Sequence, residues 1–168
     1  MEDIFVKFGP FISILLDLAL IVLGILLIRK HAKNRLKAAE CLGWPTVLGR
    51  VTRSEVERSE SSDEDGTSYS YKPCIEYAYH VLGQDYISNQ VVFGGYSGTG
   101  SLKKPQLVAS TYPLNDSITV FYNPTNPHEA VLEQSMGSGA KGALIGGIIL
   151  IVVSILMALP VLTALLGN

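Results

Sequence analysis

Two long apolar runs, one near each end of the chain, constrain its fold more than any other feature. The first, Phe8–Ile28, is broken only by two glycines, a proline, a serine and Asp17, and the second, Gly142–Leu166, carries no charge. About 20 residues at ~1.5 Å per residue cross the ~30 Å hydrocarbon core of a bilayer. We therefore predict two transmembrane helices, over residues 8–28 and 142–166. A cleaved signal peptide fits the first run poorly, because Glu2 and Asp3 make its front acidic.

A cluster of basic residues follows the first run and predicts its orientation. Residues 29–42 carry five Lys or Arg and one acid, a net charge of +4. Because basic flanks stay in the cytoplasm, both termini are expected outside and the chain between the runs inside. We predict a juxtamembrane helix over residues 29–43, ending near Gly43. A second role for the same cations is binding to anionic lipid headgroups, through Arg29, Lys30, Lys33, Arg35 and Lys37.

The chain between the runs, residues 44–134, has the period-two alternation that is typical of β-strands. We predict about five antiparallel strands in a small β-sandwich or barrel-like domain on the cytoplasmic side, so the fold class is membrane α plus all-β. The expected elements are strands over Thr46–Arg58, Tyr71–Leu82, Asp85–Phe93 and Ile118–Asn123, an extended run at Ala130–Glu133, and a short helix at Pro105–Thr111.

The predicted β domain is acidic, which argues against nucleic-acid binding. Residues 44–135 carry six Lys or Arg and eleven Asp or Glu, a net charge of −5, whereas phosphate contacts need clustered basic residues. Many of the acids lie in Glu57–Ser70, which we predict to be a solvated hairpin loop. Within it, Asp63, Glu64, Asp65 and Gly66 resemble the start of a calcium loop, but the later ligands and the closing Glu are missing.

No motif for catalysis, a metal or a cofactor is present in the sequence. Gly95 and Gly100 have the glycine spacing of a phosphate loop, but Ser101 stands where the lysine is needed. The two cysteines, Cys41 and Cys74, form no CxxC pair, and the three histidines fall in unrelated contexts. We therefore expect no enzymatic activity, no cofactor, no metal and no evident small-molecule substrate.

Small residues at a spacing of four line the start of the second run. Such rows let helices pack closely in lipid, so they predict a helix partner. That partner is either the first helix of this chain or another subunit. One row is Ser138, Gly142 and Gly146, and the row beside it is Gly139, Ala143 and Gly147.

Asp17 is unusual because it lies near the middle of the first predicted span, where a carboxylate is costly unless it is protonated, paired or hydrated. Ser154 lies near the middle of the second span, and an antiparallel helix pair brings the two to similar depth. Two interpretations stay open. Asp17, protonated or bonded by a serine, stabilises the pair, or it contacts a basic or polar group of a partner protein.

Three groups of residues in the β domain carry a resemblance to a known family. They are Trp44-Pro45 with Gly49 and Val51; Tyr71-x-Pro73-x-x-x-Tyr77-x-Tyr79-x-Val81-x-Gly83-x-x-Tyr86-x-Ser88; and Val120-x-Tyr122-Asn123-Pro124-x-Asn126-Pro127 with Ala130-Val131-Leu132-Glu133. With these residues the domain resembles the domain-of-unknown-function 3592 family of membrane proteins. The resemblance implies a short all-β domain tied to transmembrane helices, mainly in bacteria, and it implies no activity. Asn115-Asp116 stand where the family often has a glycine, and both residues suit turns.

These patterns lead to one main functional hypothesis and one alternative. The main hypothesis is a non-enzymatic accessory or scaffolding protein of a bacterial inner-membrane assembly, which binds a protein partner or its own copies through its helices. The alternative is a membrane immunity protein that binds a toxin or another effector, with the acidic segment Glu57–Ser70 as the contact for a basic partner.

Overall fold

The computed structural model describes residues 2–64 and 66–166, with side chains over residues 13–64 and 66–160. The chain divides into two compact units. One unit, called the helix unit below, consists of the two ends of the chain, up to Lys33 and from Lys141. The other, called the sheet unit, consists of Asn34–Ala140.

Two long helices, α1 over Glu2–Glu40 and α3 over Ser138–Leu166, supply the helix unit. The part of α1 from Asn34 and the first three residues of α3 belong to the sheet unit. Their less exposed residues recur every three or four positions, as the seam between two packed helices requires. Asp17 lies beside Ser154, and Gly24 lies beside Gly147, so the two helices are antiparallel. The less exposed positions of the helix unit are 13, 17, 20, 21, 24, 27, 28 and 31 on α1 and 143, 144, 146, 147, 150, 151, 154 and 158 on α3.

One helix of the described part of the chain is long and apolar enough to cross a membrane. It is the stretch Ser138–Pro160, with a mean hydropathy of 2.8. The second of the two predicted spans is thus compatible with membrane anchoring. The first, residues 8–28, is helical, but the side chains of residues 8–12 lie outside the described part, and a second membrane span is not confirmed.

The sheet unit contains one antiparallel sheet with the strand order β3-β2-β1-β4-β5. Its strands are β1 Thr46–Asp63, β2 Gly66–Val81, β3 Gln84–Ser88, β4 Ser117–Asn123 and β5 Asn126–Val131. Five antiparallel strands confirm the predicted class of this domain. The described strands form a single sheet and not a sandwich of two sheets.

Alternate residues of β2 form the centre of the core, as the period-two pattern predicts. Ile75, Tyr77 and Tyr79 are no more than 3% exposed, so their side chains lie on the buried face of the sheet. The core also requires a glycine at position 49 of β1. A Cβ atom there would lie 2.8 Å from the carbonyl oxygen of Ala78 and 2.7 Å from a methyl group of Val120.

Buried tyrosine hydroxyls and two backbone hydrogen bonds draw the open ends of the sheet together. The Tyr77 hydroxyl lies 2.9 Å from the carbonyl oxygen of Gln90, after β3, and 3.0 Å from that of Ala130, in β5. The backbone N–H groups of Leu132 and Glu133 donate to the carbonyl oxygen of Val91 at 3.1 and 2.9 Å. These bonds satisfy backbone groups that a sheet edge leaves unpaired, and the sheet curls towards a barrel.

The described part of Glu57–Ser70 is an exposed hairpin, as predicted, but the prediction of a loop is wrong, because β1 and β2 continue as a paired ribbon to the turn. Their register extends without a break from Arg53 and Glu76 to Asp63 and Gly66. Cross-strand contacts hold the ribbon: the Arg58 guanidinium lies 3.9 Å from the ring centre of Tyr69. Asp65, one of the acids of this segment, lies outside the described residues. Charged side chains alternating with serines conceal the strand pattern in the sequence.

Two other strand boundaries also differ from the prediction. The third strand ends at Ser88, and residues 91–93 bond instead to the chain after β5. Strand β5 begins at Asn126 and includes Pro127. An edge strand tolerates proline, which has no N–H, because positions that face away from the sheet need no donor to a neighbouring strand. The predicted short helix is confirmed as α2, Lys103–Thr111, which begins two residues earlier than expected. A short 3₁₀ turn, Cys41–Gly43, follows α1.

Replacing Tyr77 with phenylalanine tests the closure of the sheet. We expect Tyr77→Phe to lower the free energy of unfolding of the sheet unit by about 1–3 kcal/mol, because buried carbonyl groups lose their donor. Urea unfolding of the full chain in mild detergent, followed by the fluorescence of the single tryptophan, Trp44, measures this change. Tyr69→Phe is the control, since Tyr69 is 40% exposed. Equal stabilities of the two variants would contradict the assigned role of the hydroxyl.

Candidate functional site

The structure brings Asp17 and Ser154 together in the seam between α1 and α3. Asp17 is 8% exposed and Ser154 is fully buried. The Ser154 hydroxyl donates to the backbone carbonyl oxygen of Asp17 at 3.1 Å. In an apolar seam such a bond is valuable because no water competes for the hydroxyl. The serine therefore joins the helices through the backbone of α1 and not through the carboxylate.

The carboxylate of Asp17 remains without a direct bond on one oxygen. Its Oδ1 atom is buried and has no hydrogen-bond partner in the described part of the chain. A buried polar atom without a partner is costly, so Asp17 is not explained by its contact with Ser154. The Ser154 hydroxyl bonds the backbone of Asp17, and both interpretations of the carboxyl group, protonated or serine-bonded within the helix pair or in contact with a partner protein, stay predictions.

The two rows of small residues on α3 have different surroundings. A Cβ atom at Gly147 would lie 2.8 Å from the carbonyl oxygen of Gly24 and 3.0 Å from a carbon of Ile28, so this row packs against α1. A Cβ atom at Gly146 would meet no atom within 4 Å. Gly142 in the same row is exposed. The row that contains Gly142 and Gly146 is thus left open when the pair forms.

The first residue of each row, Ser138 and Gly139, serves the sheet unit. The Ser138 hydroxyl accepts a hydrogen bond from the backbone N–H of Ser97 at 2.9 Å. Gly139 lies so close to Gly94 that a Cβ atom would sit 2.3 Å from its carbonyl oxygen. These two residues hold the segment after β3 in place, which is a role that the spacing of small residues did not indicate.

The predicted lipid-binding cations also divide into two sets. Lys37 forms an ion pair with Glu129 of β5 inside the sheet unit, so it is a structural residue there. The other four cations are exposed and form no ion pair with any described residue. These four are Arg29, Lys30, Lys33 and Arg35, and their contact with anionic headgroups stays a prediction.

The acidic ribbon at the end of the β1–β2 hairpin, residues 57–70 and called the acidic arm, carries exposed charge. Arg58 and Glu60 form an ion pair at 3.6 Å, with side chains about half exposed. Glu57 and Glu64 are exposed and have no ion-pair partner in the described residues. Over the described chain, no three His, Cys, Asp or Glu side chains are grouped to hold a metal ion.

The sheet unit contains a cleft that the sequence patterns did not predict. It has a volume of about 380 Å³ and lies between α2 and the two segments that follow β3 and β5. Its walls include Val92, Val108 and Met136, and Glu133 and Lys104 supply charges. The cleft combines residues from four distant parts of the chain. The sequence carried one weak signal of it, a carboxylate that directly follows the apolar run Ala130–Leu132.

Glu133 is positioned by a phenol. The Tyr112 hydroxyl, at the end of α2, donates to the Oε1 atom of Glu133 at 2.8 Å. Burial, this bond and the negative charge of Glu133 all raise the pKa of Tyr112. Burial, with a smaller contribution from Glu133, raises the pKa of Tyr96 in the cleft wall to about 12. Both phenols are therefore neutral near pH 7, and the carboxylate is the negative group of the cleft.

A comparison with known protein families gives a match within the sheet unit. A family model described as Domain of unknown function (DUF3592) matches residues 47–137, which is more than half of the chain. The chain belongs to the DUF3592 family. Comparison with curated proteins gives no match. The DUF3592 match begins in β1 and ends one residue before α3, so it includes the cleft and leaves both long helices outside.

A leucine at each of two adjacent glycines tests which face of α3 packs against α1. We expect Gly147→Leu to destabilise the helix pair by about 1–3 kcal/mol, because overpacking forces the backbones apart. Gly146→Leu should leave the pair intact, because a side chain at this position meets open space. Dyes on the two helices report the stability of the helix pair in both variants. Their fluorescence energy transfer is followed while SDS is titrated into mixed micelles. The same loss in both variants would refute the assignment of the two faces.

Proposed function

We propose that this DUF3592 protein is a non-enzymatic accessory or interaction protein of a bacterial inner membrane. In this proposal α1 and α3 both span the membrane, and the sheet unit lies on the cytoplasmic side. The open face of α3 binds a transmembrane helix of a partner or of a second copy. The observation that carries the proposal is the row of Gly142 and Gly146, which has the small-residue pattern of a helix-packing surface and remains open after α1 has packed on the neighbouring row.

Apolar side chains on the outside of both helices support the membrane assignment. In Ser138–Pro160 only 11% of the apolar window is buried, which favours a membrane helix over the mostly buried core helix of a soluble fold. Many large apolar residues on the two helices are between 48% and 66% exposed, and they include Leu15, Leu18, Val22, Leu26, Ile148, Val152, Ile155 and Leu159. Soluble proteins rarely expose such continuous apolar surface, whereas lipid requires it.

Close packing in lipid explains why small residues matter for a partner. Lipid tails are as apolar as leucine side chains, so burial of apolar area supplies little attraction between membrane helices. Van der Waals contact between closely approaching backbones supplies it instead. Gly146 allows such an approach because no atom lies within 4 Å of a Cβ placed there, and a bulky side chain at this position would hold a partner helix away.

Capture of the partner from membranes tests the proposal. The full chain, tagged at its C-terminus and solubilised in mild detergent, should retain a stoichiometric membrane partner or a second copy. We expect Gly142→Leu and Gly146→Leu each to reduce the retained amount at least tenfold, since a loss of ~1.4 kcal/mol changes an equilibrium constant tenfold. Quantitative mass spectrometry of the eluates measures the change.

Ile149→Leu is the matched control, because it places leucine on an exposed position of α3 that already carries a large side chain. It should retain the partner. A monodisperse monomer, or a partner retained equally by the Gly146→Leu variant, would contradict the proposal. If Glu57→Lys together with Glu64→Lys releases the partner while Gly146→Leu does not, the acidic arm is the docking surface, as the alternative of an effector-binding immunity protein expects.

A reporter fusion tests the proposed topology separately. The exposed cations Arg29, Lys30, Lys33 and Arg35 follow the first apolar run, and the positive-inside rule then keeps the sheet unit in the cytoplasm. A reporter that is active only in the periplasm, inserted at Ser62 in the exposed arm, should be silent. The same reporter at the C-terminus should be active. An active reporter at Ser62 together with a silent one at the C-terminus would show that the topology is the reverse of the one proposed.

A further inference from the structure

We propose that the cleft of the sheet unit is a binding site for a small organic ammonium ion that carries a hydrophobic group. The ammonium group pairs with Glu133, and the hydrophobic group lies against Val92, Val108 and Met136. This site is separate from the open face of α3, and the inference does not depend on the proposed partner binding.

The size and construction of the cleft suit a small ligand. Its volume of about 380 Å³ falls within the ~300–1,000 Å³ of typical small-molecule sites. One wall is held by hydrogen bonds between the segments after β3 and β5. Phe93 N–H donates to the carbonyl oxygen of Ser135 at 2.9 Å, and Gly137 N–H donates to that of Phe93 at 2.9 Å. The wall is thus built before any ligand arrives, which reduces the ordering cost of binding.

The opposite wall is also held in place. Helix α2 contributes Val108 to the cleft, and the hydroxyl of Ser54 in β1 donates to the carbonyl oxygen of Ala109 at 3.1 Å. Tyr71 of β2 and Thr99 exchange two backbone hydrogen bonds at 2.8 and 3.0 Å, which fixes the segment that leads into α2. Both walls are therefore tied to the sheet, and the bond from Tyr112 to Glu133 joins the end of α2 to the segment after β5, so the cleft is held in place before a ligand binds.

The negative charge of Glu133 favours a ligand with a positive charge. Its Oε1 atom accepts the phenol of Tyr112, a neutral donor, and no cation pairs with Glu133 among the residues that the structure describes. A half-buried carboxylate beside apolar walls gains most from a cation that brings its own hydrophobic group, because the charge is then paired without water. The aromatic ring of Tyr96 in the same wall adds attraction for a cation.

An anionic ligand is disfavoured by the same arrangement. Lys104 is the cation of the cleft lining, and it lies exposed on the first turn of α2, where its ammonium group is hydrated. An anion that reached the apolar walls would lie near Glu133 without a buried partner of its own. Lys104 is therefore expected to contribute little to binding, and it provides a charge control at the rim.

Methionine methyl groups provide a local test in the full chain. The chain has three methionines, of which Met136 lines the cleft and Met157 lies on α3. With ¹³C-methyl methionine in detergent micelles, 2-phenylethylammonium should shift the Met136 signal saturably and leave that of Met157 unchanged. The neutral 2-phenylethanol and the anionic 3-phenylpropanoate should bind at least tenfold more weakly. Assignment rests on Met136→Leu and Met157→Leu.

A charge-removing variant locates the ammonium group. Glu133→Gln should weaken the binding of 2-phenylethylammonium at least tenfold, while its amide oxygen can still accept the Tyr112 hydroxyl. Lys104→Gln should leave the binding unchanged. Equal binding of the amine and the alcohol to the wild-type chain would overturn the proposal whether or not Glu133→Gln folds. An unchanged affinity of a folded Glu133→Gln variant, or a Met136 signal that does not saturate, would overturn it as well.

Discussion

The sheet unit depends on the hydroxyl group of Tyr77. Its ring is fully buried in the last third of β2, and its oxygen lies between the carbonyl oxygens of Gln90, after β3, and Ala130, in β5. An open five-stranded sheet exposes backbone groups along both edges, and burying them without partners is costly. One side chain in the centre therefore links both ends, and the segments after β3 and β5 are drawn together.

The cleft is a consequence of this closure. The chain after β5 continues to pair with residues 91–93, so it carries Glu133 to the end of α2, where Tyr112 bonds its carboxylate. Residues that are far apart in the sequence thus meet in connecting segments beside a rigid sheet. Binding residues are often placed in this way, because loops tolerate variation while the sheet keeps them in position.

Backbone proximity is the corresponding constraint in the helix unit. Gly24 and Gly147 let the two helices approach so closely that a Cβ atom on either would contact the other backbone. At this distance the Ser154 hydroxyl reaches the carbonyl oxygen of Asp17. The small-residue spacing predicted that α3 packs closely against a helix, but it did not distinguish the row that faces α1 from the row that remains open. That distinction depends on the rotation of each helix about its axis, which a one-dimensional spacing does not contain.

The sequence by itself determined the two apolar runs, the five-stranded antiparallel class and the alternation of β2. Each of these is a local pattern, set by the hydrophobicity and spacing of neighbouring residues. It misjudged the acidic arm, because the strand pairing there depends on cross-strand partners such as Arg58 and Tyr69. Only the tertiary structure decided which carbonyl groups Tyr77 bonds and that Glu133 lines a cleft. These contacts join positions more than ten residues apart, and their geometry follows from how the sheet closes.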